Sequence, residues 1–320
     1  MSEVLEDYAL HEKLQRKGTL KKVGIVGCGS VGQEITRIIS KAGIDVIYLD
    51  INEERVKDIF VSISQQLDEM INRWGLTESE KRAMLSRIKG STNYKDLHEC
   101  NLVMETISSN KPGTSLELRK EIFKKIEDNV SEDTIITSNI STLMISDLAS
   151  VLNHPERAVG MHFMVSPSTV KIVEVVKGLN TNTQSLEFVN RFATMIGKRV
   201  ITVNESPGNI STRLIVTLIN EACDVLMEGV ASVENIDDTM KFGFGLQFGP
   251  FELADRIGLD KILKYMDNLF QEFGLHKFKA SPIIKRLVRA NNLGRKTNKG
   301  FYLYENGKRL GPNVSNTEIR

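Results

Sequence analysis

Two residues are placed to do acid–base work. His162 closes the apolar run Ala158-Val159-Gly160-Met161, and Glu174 lies inside the next one, Ile172-Val173-Glu174-Val175-Val176. A carboxylate among apolar neighbours is costly to bury unless it is paired, and a histidine is its natural partner. A hydride leaving a secondary alcohol requires a base for the hydroxyl proton. Imidazole serves near neutrality when a carboxylate orients it and stabilises the imidazolium. Two plainer roles stand beside this one: a structural strand-end histidine, and a Glu174 that faces water from an edge strand. His11, His98, His154 and His276 have no comparable setting and form no HxxxH pair, so no metal site is assigned, and His154-Pro155 reads as a turn.

The second cluster is Gly27-x-Gly29-x-x-Gly32, which follows the apolar strand Val23 to Val26 and opens a helical pattern over residues 33–40. In that setting Gly27 permits the tight turn, Gly29 lets the backbone approach a pyrophosphate, and Gly32 lets helix and strand pack closely. Ser30 and Val31 lie where helix N-terminal amides are aimed at the anion. The next strand, DVIYLD, ends in Asp50 at close to the roughly 20-residue distance expected of the carboxylate that accepts ribose hydroxyls. Such an acid repels a 2′-phosphate, so NAD is favoured over NADP. The plainer role for Asp50 is the N-cap of the helix INEERVKDIF, and Arg55 is a cation able to reach a phosphate.

These residues need a sheet edge to hold them. Short β-branched runs, KKVGIVG, DVIYLD, NLVMET, TIITSN, RAVGMHF, KIVEVV and KRVITV, alternate with amphipathic stretches, the pattern of a parallel sheet with crossover helices. Phe60, Ile63, Leu67, Ile71 and Trp74 recur at helical spacing, as do Leu186, Val189, Phe192 and Ile196. The strands stop near Val203, and Ser206-Pro207-Gly208 breaks the chain before a helical region with the apolar run Leu214 to Val230 and a helix capped by Ser232. Three parts follow: a polar extension over 1–19, a dinucleotide-binding domain over 20–205, and a helical domain over 206–320.

The 320 residues carry a net charge of +1, with 26% charged and 41% hydrophobic. That composition excludes disordered and strongly basic classes and gives no global reason to bind nucleic acid or an anionic membrane. Cys28, Cys100 and Cys223 are far apart and form no CxxC pair, and no apolar run is long enough to span a bilayer. A cytoplasmic protein is expected.

Six segments follow one another in order: KKVGIVGCGSVGQEI, TSNISTL, VGMHF with KIVEVVKG, SPGNISTRL, FGPFELADRIGLD and GRKTNKGFYLY. Over residues 21–304 their order and spacing resemble the L-3-hydroxyacyl-CoA dehydrogenases of the two-domain, 3-hydroxybutyryl-CoA dehydrogenase type. The resemblance implies an N-terminal Rossmann-type, doubly wound, mostly parallel sheet, a C-terminal all-α domain that forms a homodimer, NAD as cofactor and an acyl-CoA as substrate. It puts the catalytic histidine at His162, its partner acid at Glu174 and the substrate-contacting serine of SNxS at Ser141. A helix cap is the plainer role for Ser141, and Asn139 holds that turn. Arg73 lies in the segment where the family binds the CoA nucleotide.

The departures from the family pattern gather around the substrate. HFFNPxP is here His162-Phe163-Met164-Val165-Ser166-Pro167-Ser168, without the Asn and its following Pro. PGFxxNR is here residues 207–213, with Thr212 where a substrate-facing Asn is usual. Asn209, three residues earlier and near Thr212 on a helix surface, is the candidate to replace the amide in part. EAVxEN is here 105–110, followed by an insertion around KPGTS, so that Ser109 stands for the acid; Gln247-Phe248-Gly249-Pro250 replaces PMGP. The leading expectation is NAD-linked interconversion of an L-3-hydroxyacyl-CoA and its 3-oxoacyl-CoA. The alternatives are a dehydrogenase of a non-CoA 3-hydroxy acid, carnitine-like or a sugar acid, and a non-catalytic dinucleotide-binding protein of the crystallin kind.

Overall fold

The computed structural model describes residues 20–73, 75–108 and 115–314. The extension at 1–19, Trp74, Ser109 and Asn110 lie outside the described residues. The chain divides into two compact units: the first runs to Ile140 and resumes over Ile145–Thr202, and the second takes Ser141–Met144 and the chain from Val203.

The first unit is built on an eight-stranded sheet: β1 (Lys22–Val26), β2 (Asp45–Leu49), β3 (Ile88–Ser91), β4 (Leu102–Glu105), β5 (Ile135–Ser138), β6 (Ala158–His162), β7 (Ile172–Lys177) and β8 (Arg199–Asn204). The order is β3-β2-β1-β4-β5-β6-β7-β8. From β3 to β6 every pair is parallel, and β4, β5 and β6 are buried throughout. This is the doubly wound order, whose ligands bind outside the carboxyl ends of the strands where the strand order reverses, here between β1 and β4. Val26, Glu105, Ser138 and His162 end β1, β4, β5 and β6, so all four belong to that edge.

Two features of the sheet depart from the sequence expectation. β3 was not expected: IKGS has one buried residue in four and no β-branched run. β7 pairs antiparallel with β6, because the connection 163–171 is shorter than the dozen or so residues that a parallel crossover requires.

Around this sheet lie α1 (Ser30–Lys41), α2 (Glu53–Asn72), α3 (Glu78–Ser86), α4 (Ser115–Glu127), α5 (Ile145–Ala149) and α6 (Thr183–Met195). The buried stripe of α2 is Val56, Ile59, Ile63 and Leu67. Phe60, counted on that stripe from spacing alone, points outward and is 37% exposed. The α6 stripe is as expected, with Val189, Phe192 and Ile196 buried.

The second unit is helical: α7 (Ser211–Met227), α8 (Val233–Asp238), α9 (Pro250–Ile257), α10 (Leu259–Phe273) and α11 (Pro282–Arg289). Ser232 caps α8 by accepting the Asn235 N–H at 3.2 Å. A short hairpin, β9 (Tyr302–Glu305) with β10 (Lys308–Pro312), is added to the expected helices. Two buried aspartates join these parts. Asp237 accepts the N–H groups of Phe251 and Glu252, at 2.8 and 2.9 Å, at the start of α9. Asp255 accepts those of Phe301 and Tyr302, both at 2.9 Å, and the Tyr304 hydroxyl at 3.0 Å. The Tyr302 hydroxyl donates back to Asp237 at 3.0 Å. The segments FGPFELADRIGLD and GRKTNKGFYLY therefore supply a structural core in which donors surround two acids. Among the described residues no helix is long and apolar enough to cross a membrane.

Candidate active site

The glycine-rich turn is set by close approach. Gly27 has φ +83°, and a Cβ there would overlap Ile107; a Cβ on Gly32 would stand 2.8 Å from Thr106 Oγ1 and 2.9 Å from the Gly27 carbonyl oxygen. Gly29 differs, since among the described residues a Cβ there would meet only Ser108 Oγ, at 3.9 Å. The described residues leave that side open, as close approach of the backbone to a pyrophosphate requires. Gly29 is the N-cap of α1, no acid lies in the first turn, and the first amides of a helix have no intrahelical acceptor. These amides suit a pyrophosphate.

Asp50 is held against the same turn: its Oδ2 accepts the Cys28 N–H at 3.0 Å and its Oδ1 the Ile51 N–H at 2.9 Å. It does not cap α2. Asn52 does, accepting the Arg55 N–H at 2.8 Å. Arg55 leans toward Asp50, with Nε 4.0 Å from Oδ1. The carboxylate therefore sits beside the glycine-rich turn, and the donor set fits a dinucleotide. Cys28 has no nucleophilic part here, for burial pushes its thiol up to about 12.

His162 and Glu174 are register partners across β6 and β7. Antiparallel neighbours directly opposite share a sheet face, and Nδ1 of His162 is 2.9 Å from Oε2 of Glu174 with both side chains buried. An ionised carboxylate only accepts, so it selects the tautomer with the proton on Nδ1 and leaves the Nε2 lone pair able to accept a proton. Behind the pair, Asn139 Oδ1 accepts the Phe163 N–H at 2.7 Å, fixing the residue after the histidine.

A second buried carboxylate at this edge escaped the sequence reading. Glu105, fully buried, is ion-paired with Arg119 of α4. It also accepts the Ser138 hydroxyl at 2.5 Å and the Ile107 N–H at 2.6 Å. Arg119 further donates to the Ile107 carbonyl at 2.7 Å, so the pair braces the loop that Gly27 packs against. The signal was the one used for Glu174: an acid ending the apolar run NLVMET needs a buried cation.

Ser141 is buried, and its carbonyl accepts the Gly208 N–H at 2.8 Å. α5 starts at Ile145, four positions on, so Ser141 is not its cap. Asn209 follows Gly208 in the left-handed region, φ +45°, and α7 starts only at Ser211. Asn209 therefore sits in the turn before the helix, not on its surface three residues from Thr212 as spacing alone suggested. Its Nδ2 is buried without a hydrogen-bond partner among the described residues, and Thr212 is buried in the first turn. Arg73 is the exposed C-cap of α2.

Residues 22–206 match the family "3-hydroxyacyl-CoA dehydrogenase, NAD binding domain", and residues 208–304 match "3-hydroxyacyl-CoA dehydrogenase, C-terminal domain". The chain is 34% identical to the 3-hydroxybutyryl-CoA dehydrogenase of Clostridioides difficile over 283 residues, covering 88% of this chain and 99% of that one. To the enzyme of the same name from Bradyrhizobium diazoefficiens it is 35% identical over 289 residues, covering 90% and 97%. The crystal structure of the (S)-3-hydroxybutyryl-CoA dehydrogenase of Ralstonia eutropha superposes with a TM-score of 0.82 at 38% identity, covering 90% of this chain and all of that one.

Proposed function

The chain belongs to the 3-hydroxyacyl-CoA dehydrogenase family, and from that premise we propose that it interconverts a short-chain L-3-hydroxyacyl-CoA, of the 3-hydroxybutyryl kind, with its 3-oxoacyl-CoA. The observation that carries this reading is the buried His162–Glu174 pair at the carboxyl edge of the sheet. NAD, when bound, supplies the hydride acceptor. His162 Nε2 takes the hydroxyl proton during oxidation and returns it during reduction, and Glu174 holds the ring and stabilises the imidazolium. Ser141 holds the substrate oxygen. Gly27, Gly29, Ser30, Val31 and Gly32 receive the pyrophosphate, and Asp50 the ribose hydroxyls. Thr212 and Asn209 contact the acyl part, with the unpartnered Asn209 amide supporting that role, and Arg73 takes a phosphate of CoA.

In this reading residues 20–205 form the dinucleotide domain and 206–320 the substrate and dimerisation domain of a cytoplasmic homodimer. Phe242 and Phe244, 80% and 72% exposed, support a covered face on the second unit. The altered segment 164–168 favours the competing reading, a dehydrogenase of a non-CoA 3-hydroxy acid. His162→Ala tests the mechanism: it should abolish turnover with NADH binding intact, and retained turnover removes His162 from it.

A further inference from the structure

The connection 163–171 joins the two halves of the His162–Glu174 pair and carries one of the changes that set this chain apart from its family. Its middle is drawn tight: Ser166 has φ +61°, and its carbonyl accepts the N–H groups of Thr169 and Val170 at 2.9 and 3.1 Å. Its ends are held by Asn139 at Phe163 and by the Arg199 N–H, which donates to the Lys171 carbonyl at 2.8 Å. Lys198, buried, donates to the carbonyls of Pro167 and Val170.

One further contact comes from the opposite side. Glu34 Oε2 accepts both the backbone N–H of Ser168, at 3.1 Å, and its hydroxyl, at 2.9 Å. Glu34 lies on α1 just beyond Gly32, and its neighbour Gln33 donates through Nε2 to the Cys28 carbonyl at 3.3 Å. Successive residues of α1 thus grip the glycine-rich turn and the loop behind the histidine. The Glu34 charge also supports the Lys198 ammonium, whose pKa burial pulls below the ordinary lysine range.

We propose that Glu34 is a positioning residue for the reaction: through Ser168 it fixes the 163–171 connection, and with it the His162–Glu174 pair, relative to the cofactor turn. In this altered segment Ser168 supplies a side chain that ties the loop to α1. Glu34 touches neither reacting atoms nor cofactor in this role. The proposal rests on the dehydrogenase reading above, so its test carries one readout that needs no substrate.

Glu34→Ala, Ser168→Ala, the double variant and Glu34→Gln are compared with the parent. The measurements are kcat and KM for acetoacetyl-CoA, the NADH dissociation constant and hydrogen exchange over 163–171. Each single alanine variant should lower kcat about tenfold, with the NADH constant changed less than about twofold. The double variant should be no slower than either single one, and Glu34→Gln, whose amide oxygen still accepts, should recover most of the loss. Amides of 163–171 should exchange faster in Glu34→Ala. Parental kcat in both single variants, multiplicative losses in the double variant, or unchanged exchange overturns the proposal. An inactive parent with faster exchange in Glu34→Ala faults the substrate reading while supporting the clasp.

Discussion

Glu174 faces His162 directly across the β6–β7 pair, with Oε2 2.9 Å from Nδ1 and both side chains buried. In the proposed reaction the carboxylate, which can only accept from Nδ1 where an amide could also turn its NH2 toward the ring, would fix the tautomer, and unlike an amide it would offset the imidazolium charge. Glu174→Gln should therefore lower kcat for acetoacetyl-CoA reduction by about 10²-fold with little change in KM. Steady-state kinetics decide it, and a loss under about threefold would assign Glu174 a packing role.

Asp50 offers its carboxylate beside the anion turn while already accepting two backbone N–H groups. Replacing it by serine removes a charged acceptor and the repulsion toward a 2′-phosphate. Asp50→Ser should raise KM for NADH by about 10- to 100-fold and narrow the preference over NADPH. An unchanged preference would mean that discrimination lies elsewhere.

Ser141 and the Asn209 turn are tied through the hydrogen bond between the Ser141 carbonyl and the Gly208 N–H. Ser141→Ala keeps that bond and removes only the hydroxyl, so kcat should fall by about tenfold or more without loss of melting temperature. Asn209→Ala should weaken apparent substrate affinity or turnover; if both stay parental, its amide does not serve the substrate.

Burial pushes the Asp255 carboxyl up to about 7, from 3.8 for an ordinary aspartate, against the pull of its three donors. Between those two values the folded chain binds more proton than the unfolded chain, so the contribution of this group to stability is full below about pH 4 and lost as pH rises through 7. An asparagine does not titrate. The melting temperature of Asp255→Asn relative to the parent should therefore climb between pH 5 and pH 8, and a constant difference would refute the assignment.

Local patterns carried much of the architecture. The glycine-rich turn was legible because its spacing directly follows an apolar strand and opens a helix, although the contacts that demand Gly27 and Gly32 come largely from Ile107 and Thr106. Asp50 was legible because β2 follows at a fixed distance. Glu174 was legible because a lone acid in an apolar run has few ways to be satisfied. The antiparallel β7, the Glu105–Arg119 brace and the Glu34–Ser168 clasp were not read, since each depends on partners from separate elements and leaves only a weak local trace. Asn209 was misplaced onto a helix surface because spacing does not reveal the left-handed turn that delays the start of α7.

The central claim is NAD-linked chemistry on a CoA thioester. Absorbance-monitored oxidation of NADH with acetoacetyl-CoA, run beside NADPH and beside free acetoacetate, tests it most directly. Fast turnover that requires both NADH and the thioester is the predicted result. Silence with the thioester, in protein that still binds NADH, would contradict the account and turn attention to other 3-hydroxy acids.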